Sequence, residues 1–447
     1  MDYASALNYL ESLIDYERTP AQAQAARAFN LARMEMLLER LGNPHSRLVC
    51  LHIAGTKGKG STAAISASIL RAAGNRTGLY TSPHLVSFRE RIRINDAVIP
   101  ESQVADLTAR LQPHIETMRG SEAGTPSFFE AYTAMAFLYF REQKVEIAVL
   151  ETGLGGRLDA TNVIVPAVCG ITTIAIDHTA ELGGTLPEIA AEKAGIIKPG
   201  VPVVCAPQEY SVMKIITEAC RLKNARLLRV GPPRSGYDIS VETFRGARFQ
   251  RFSIVDWRGP YEEMTCPLLG EHQAWNAGVA VGMMAVLAER GFRTGTRAIR
   301  TGLQQVRWPG RLQIIEGAPQ VVLDGAHDVA SANALKRAVL SLFPSSEITL
   351  VLGISCDKDI RGIAQVLSAL PSRVILTAAK SPRAASPEEL SRFAAPHFAK
   401  AQVQTCADVA SAVRSAYAQT PKEGLILVTG SLYVVGEAMK ELGISPL

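Results

Sequence analysis

The chain has 447 residues, and at roughly 100–200 residues per domain that length makes two or three domains. Hydrophobic residues at 47% and charged residues at 20% exclude disorder as the main state, because there is ample apolar side chain to offset chain entropy. A net charge of +5, from 47 Lys+Arg against 42 Asp+Glu, is too thinly spread to argue for nucleic acid.

In chain order, apolar residues recur first at helical spacing. Leu7, Leu10, Leu13 and Ile14, then Leu31, Met34, Leu37, Leu38 and Leu41, predict helices within residues 1–42. Gly42-Asn43-Pro44 ends the second. A strand over 48–53, a glycine loop over 54–60 and a helix over 61–73 follow. Further apolar runs over 145–150, 168–176 and 201–206 read as strands, with helices over 128–143 and 186–195. Short apolar strands alternating with helices predict an α/β fold with a mostly parallel sheet covered on both faces. Residues 230–270 are richer in Arg, Gly and aromatics and alternate in polarity, which predicts antiparallel β decoration. A long helix is predicted over 272–290. Trp308-Pro309-Gly310-Arg311 marks a boundary, so we expect domains at 1–305 and 306–447. The second α/β series has strands near 321–323, 348–352, 374–376 and 425–428, and helices near 330–342, 360–370, 387–393 and 408–418.

Seven cysteines stand at 50, 169, 205, 220, 266, 356 and 406, without a Cys-x-x-Cys pair. They argue against a disulfide framework or thiolate zinc site and for a reducing, cytoplasmic compartment. No run of about 18 apolar residues is present, so no membrane span is expected. Met1-Asp2-Tyr3-Ala4 offers neither a basic start nor an apolar signal core.

Gly55-Thr56-Lys57-Gly58-Lys59-Gly60-Ser61-Thr62 lies between a buried-strand pattern and a helix. Glycines let backbone N–H groups converge on phosphate oxygens, and the helix N-terminus adds positive potential. Lys59 suits a β/γ-phosphate and Ser61 suits Mg²⁺. Gly60 departs from the usual spacing by standing between the Lys and the Ser. Glu151 and His178 follow later predicted strands, and ligands of open α/β sheets bind at carboxyl strand ends. Taken alone, His178 reads as a structural histidine and Glu151 as a capping carboxylate. Beside a phosphate loop they become candidate metal ligands, because bound ATP needs Mg²⁺ held by hard groups.

At these residues the sequence resembles the folylpolyglutamate synthase/dihydrofolate synthase family of the Mur-ligase superfamily. The resemblance rests on 52–62, on Thr81-Ser82-Pro83-His84-Leu85, and on Glu151 through Asn162. It continues with Asp177-His178-Thr179, with 192–199, with Pro309-Gly310-Arg311, with 323–327 and with 429–433. It implies an N-terminal P-loop NTPase-like domain and a C-terminal Rossmann-like domain, with ATP in the cleft between them. The implied activity is ATP-dependent addition of L-glutamate to a pteroate or folate carboxylate. ATP-binding residues carried over are Thr56, Lys57, Gly58, Lys59, Gly60, Ser61, Asn276, Arg311 and Asp324. Ser61, Ser82, Glu151, His178 and Lys193 correspond to metal positions, implying two Mg²⁺ sites where Mn²⁺ substitutes. Lys193 occupies the position that this superfamily carbamylates; the alternative is an ordinary helical lysine paired with a carboxylate. Ser127, Phe128, Phe129 and Glu130, with Leu158, Asp159 and Ala160, match the segments that hold the pterin. An aromatic ring can stack on that flat group and a carboxylate can accept from its amino N–H; plain core is the other reading of Phe128 and Phe129.

Two positions depart from the family. Asp328 stands where Asn is usual, either adding negative charge near triphosphate or capping the next helix; the cap is the expected role, because Asp replaces Asn there. Asn30 replaces a Gly that many relatives have before the Leu-x-Arg segment. The expected partners are small molecules (ATP, L-glutamate, and folate or dihydropteroate), without nucleic acid or membrane, and the chain is expected to be monomeric. The rival reading is a Mur-type ligase acting on a nucleotide-linked peptide. The segment at Phe128 and Phe129 and the one at Ser82 argue against it.

Overall fold

The computed structural model describes residues 1–14, 31–233, 237–244 and 249–445. Asn30 lies outside them. They form two compact units. The first comprises 1–84, 88–267 and 271–306; the second comprises 85–87, 268–270 and 307–447.

The first unit is built on an eleven-stranded sheet. Its strands are β1 (Val49–Ala54), β2 (Thr77–Tyr80), β3 (Ile92–Ile94), β4 (Ala97–Val98), β5 (Ile147–Glu151), β6 (Val168–Ile171), β7 (Val203–Cys205), β8 (Leu227–Gly231), β9 (Ile239–Phe244), β10 (Gln250–Asp256) and β11 (Gly259–Cys266). Their order is β11-β10-β9-β8-β7-β6-β1-β5-β2-β3-β4. The central strands are parallel, and β1 lies between β5 and β6. The expected decoration over 230–270 is present as the antiparallel β9-β10-β11 meander. It continues the same sheet, because β9 pairs in parallel with β8.

Alternation puts Cys50, His52 and Ala54 on one face of β1, and Leu51 and Ile53 on the other. The helices of this unit are α1 (Tyr3–Glu11), α2 (Leu31–Arg40), α3 (Lys59–Ala72), α4 (Glu101–Met118), α5 (Phe128–Glu142), α6 (Thr179–Leu182), α7 (Leu186–Ala194), α8 (Tyr210–Leu222), α9 (Glu271–Glu289) and α10 (Thr296–Gln305). Cys50 belongs to a core of α1, α2, α4 and α5 side chains, such as Leu10, Met34, Leu111 and Phe137. Ala54 belongs to a second core, with Ile189 of α7 and Ile216 of α8.

Some expected boundaries move. The first helix stops at Glu11, and Ile14 is 46% exposed. The apolar run 168–176 gives strand only to Ile171. Beyond it, the backbone turns to pair with the glycine loop. The 18-residue α4 carries Pro113 in its interior and has no predicted counterpart.

The second unit holds a six-stranded sheet in the order β12-β13-β17-β14-β15-β16. The strands are β12 (Gln313–Ile315), β13 (Gln320–Leu323), β14 (Ile348–Leu352), β15 (Arg373–Leu376), β16 (Gln402–Thr405) and β17 (Leu425–Thr429). All but the edge strand β12 run parallel. Its helices are α11 (Val329–Leu342), α12 (Ile360–Leu367), α13 (Pro387–Phe393), α14 (Val409–Gln419) and α15 (Leu432–Glu441). They give this sheet two apolar cores, one with Leu335 and Ile363 and one with Val413 and Val435. Among the described residues, no helix of either unit is long and apolar enough to cross a membrane.

Candidate active site

β1 ends by releasing the glycine loop at a carboxyl strand edge, and α3 starts at Lys59. The loop rests on the segment after β6. The amides of Thr56 and Lys57 both donate to the Thr173 carbonyl at 3.0 Å. The Thr56 hydroxyl donates to the Ala175 carbonyl and accepts from the Ala175 amide, each at 3.1 Å. Gly58 caps α3 at φ +91°, and a Cβ there would lie 2.2 Å from Asn276 Oδ1. Glycine is therefore required at Gly58, and α9 presses Asn276 directly against the loop. The first turn of α3 holds no acidic side chain. Its N-terminal dipole thus points at the loop without an internal counter-anion. Ser61 lies buried on that turn, beyond Gly60.

Lys193 reaches this loop from α7, where it is 4% exposed and donates from Nζ to the Gly55 carbonyl at 2.8 Å. Burial, and then the neighbouring Lys59 cation, push its ammonium down to about 7. Lys57 pairs with Asp177 at 3.0 Å. Glu151 closes β5 opposite Ile53, is 4% exposed, and accepts from the Ser82 amide at 3.2 Å. Two of the expected metal positions are thus adjacent. His178 stands at φ +52° as the cap of α6, with its side chain 46% exposed.

The segments expected to face the pterin are largely occupied within the protein. Ser127 and Glu130 form a capping box at the start of α5. The Glu130 carboxylate accepts from the Ser127 amide and hydroxyl at 2.7 Å, and from Arg33 Nε at 2.9 Å on each oxygen. Phe128 is 1% exposed, stacked on Tyr132 with centroids 5.4 Å apart and overlain by Arg91. It is core. Phe129 is half-buried, tilted against Tyr80 and packed on Gly153. Asp159 accepts from the amides of Gly153, Leu154 and Thr161 and from the Thr161 hydroxyl. Leu158 beside it is half-buried, and Ala160 is buried.

In the second unit, Asp324 accepts from the amides of Leu312 at 2.8 Å and Ala326 at 2.9 Å. Burial raises its carboxyl, and Arg311 opposes that shift. A Cβ on Gly325 would lie 2.7 Å from Arg311 Nη1. Asp328 caps α11 by accepting from the Ser331 amide at 2.7 Å.

Sequence reasoning assigned no role to Arg33, His52 or Thr161. His52 carried a signal, since it stands at an inward position of a buried strand just before the loop.

The Mur ligase middle domain matches residues 53–284, and the Mur ligase glutamate ligase domain matches residues 310–432. The dihydrofolate synthase/folylpolyglutamate synthase of Bacillus subtilis is 35% identical over 417 residues, covering 92% of this chain and 94% of the relative. The chain belongs to the folylpolyglutamate synthase/dihydrofolate synthase family of Mur-type ligases. The folylpolyglutamate synthase of Mycobacterium tuberculosis complexed with ADP has a TM-score of 0.87 and 33% identity, covering 100% of both chains. Escherichia coli FolC in complex with DHPP and ADP has a TM-score of 0.84 and 31% identity, covering 99% of this chain and 98% of that one. The α/β architecture described above is that of the family, and the chain is an enzyme of this ligase class.

Proposed function

We propose that the protein joins L-glutamate to a folate or pteroate carboxylate at the expense of ATP. Residues 1–305 serve in this reading as the ATP-binding domain and 306–447 as the ligase domain. The observation that carries it is the glycine loop heading α3, with Lys59 at its first turn and no acidic side chain there. That is a cationic cradle for a triphosphate, in a chain that also matches a glutamate ligase domain.

The chemical task is amide formation from a carboxylate, a poor electrophile. An acceptor carboxylate oxygen attacks the γ-phosphorus of ATP, ADP leaves, and an acyl phosphate forms. The neutral α-amine of glutamate attacks the acyl carbon, inorganic phosphate departs, and one proton passes to solvent. Lys59 and the N-terminal amides of α3 offset the charge that spreads over the transferring phosphoryl group. Thr56, Lys57, Gly58, Gly60 and Ser61 line the phosphates, and Asn276 contacts the nucleotide. On the second unit, Arg311 and Asp324 are the candidates for nucleotide contact.

The donors at Ser61, Ser82, Glu151 and His178 are oxygens and one imidazole, which suit Mg²⁺ and tolerate Mn²⁺. Mg²⁺ held there, in two sites, supplies charge neutralisation for the triphosphate. An ammonium at Lys193 does not fit that set, whereas its carbamate adds an anionic oxygen. Burial, with Lys59 nearby, keeps part of this amine neutral near pH 7, and the neutral amine is the form that takes up CO₂, which supports carbamylation. Phe129 is the ring offered to the pterin, while Ser127, Glu130, Leu158, Asp159 and Ala160 hold the wall behind it. The enzyme works in the cytoplasm as a monomer on small molecules, without nucleic acid.

The test is glutamate-dependent ADP release with dihydropteroate, tetrahydrofolate and UDP-sugar peptides as acceptors. Turnover with either pteridine is expected. Turnover with the nucleotide-linked peptide alone overturns the reading.

A further inference from the structure

His52 is fully buried on β1, three residues before Gly55. It lies on the same face as Cys50 and Ala54, between the core that contains Cys50 and the core that contains Ala54. A polar ring in that position needs a reason. Its Nε2 lies 2.8 Å from Thr161 Oγ1, and Thr161 Oγ1 lies 2.5 Å from Asp159 Oδ1.

The direction of every hydrogen in this chain follows from donor counting. Asp159 Oδ2 accepts the amides of Gly153 and Leu154 at 2.8 and 2.9 Å. Asp159 Oδ1 accepts the Thr161 amide at 3.0 Å. Burial raises the Asp159 carboxyl, and the Thr161 hydroxyl and the three amides oppose that shift by favouring the ionised form. With the carboxylate ionised both oxygens accept, and Thr161 gives its single hydroxyl hydrogen to Oδ1. The Thr161 oxygen is left to accept, so His52 must donate from Nε2. Its Nδ1 is buried and, among the described residues, has no hydrogen-bond partner. That pattern fits a neutral ring with its hydrogen on Nε2. Burial, and then Lys198, push the imidazole down to about 3, so it stays neutral through the working range.

The loop that this chain anchors touches both sides of the candidate site. Gly153 packs on Phe129. At Gly156 an added Cβ would lie 2.9 Å from the carbonyls of both Glu192 and Lys193. Asn162 donates to the carbonyls of Arg157 at 2.9 Å and Gly195 at 3.1 Å.

We propose that His52 and Thr161 are positioning residues: the chain His52 Nε2–H to Thr161 Oγ1–H to Asp159 sets residues 153–159, and through Phe129 the shape of the acceptor wall. This rests on the proposed function for its kinetic consequence alone. Neither residue meets substrate in this scheme; both act through Asp159.

Three measurements decide it. In the wild-type protein, the histidine ¹⁵N signals of His52 should report the Nε2–H tautomer without titration between pH 5 and 9; an Nδ1–H tautomer or an ordinary titration overturns the proposal. Hydrogen exchange at the Gly153 and Leu154 amides should quicken about tenfold or more in Thr161→Val and return to wild type in Thr161→Ser. Should Thr161→Val not fold, His52→Leu against His52→Gln gives the same contrast, because Gln retains a donor near Nε2. In steady-state assays the non-bonding variants should raise the acceptor KM about tenfold or more, with the ATP KM changed by less than about twofold. A fall in kcat with both KM values unchanged, or wild-type exchange at Gly153 and Leu154, overturns the proposal. If the wild type shows no pteridine-dependent turnover, the functional reading fails, and the tautomer and exchange measurements still decide this one.

Discussion

Two regions of the first unit handle buried charge in opposite ways. Along the acceptor wall, each buried carboxylate meets donors from its own chain: Glu130 has Arg33 and Ser127, and Asp159 has three amides and a hydroxyl. Around the glycine loop, cations gather. Lys57 has Asp177, but Lys193 is buried beside Lys59 and donates to the Gly55 carbonyl. The wall therefore holds its shape without a ligand. The loop is electrostatically incomplete and suited to receive an anion, whether phosphate or carbamate.

The largest effect that tests this contrast lies in the wall. Arg33→Ala leaves the Glu130 carboxylate buried without its cation, which should cost about 3–5 kcal/mol of stability. Urea unfolding measures it, and a loss below about 1 kcal/mol breaks the claim that the wall is internally neutralised. On the loop side, Lys59→Ala should reduce ligation by about 10²–10³ while leaving the unfolding midpoint near wild type. Near-normal turnover in a folded Lys59→Ala protein removes the phosphate-loop assignment. Smaller again is Lys193→Ala, with an expected loss of about 10–100-fold, partly restored by short-chain carboxylates that resupply the missing oxygens. The carbamate itself is measurable by ¹³C NMR under ¹³CO₂. Only the neutral amine reacts, so at fixed dissolved CO₂ and without nucleotide the signal should grow as pH rises through about 7. A bare ammonium in active enzyme with Mg²⁺ bound contradicts this part of the contrast.

Much of the fold was legible because the central strands are short apolar runs separated by helical spacing. The strand predicted at 48–53 appears at Val49–Ala54, and the helix over 128–143 at Phe128–Glu142. Reading failed where an apolar run changes role midway. Residues 172–176 look like more of β6, yet Thr173 and Ala175 spend their backbone groups on Thr56 and Lys57. Periodicity cannot register that exchange, because a strand ladder and a loop cradle use the same groups. The polar edge strand β16 was also illegible, since Gln402–Thr405 lacks a buried face to pattern. In the site, adjacent aromatics Phe128 and Phe129 read alike. Tyr132, one turn on, claims the first for the core, while the second meets Gly153 from a different loop. Asp328 was legible as a cap because its partner Ser331 is local.

The central place of β1 also sets an order in time. Its hydrogen-bonded neighbours are β5 and β6, and the bed beneath its loop is Thr173 and Ala175. The ribosome makes these roughly a hundred residues after β1, which at about 5–20 residues per second is a delay of about 5–20 s. Through that interval the nascent apolar strand has no ladder partner on either side. The nucleotide loop is thus translated roughly a hundred residues before the strands and the bed that hold its shape.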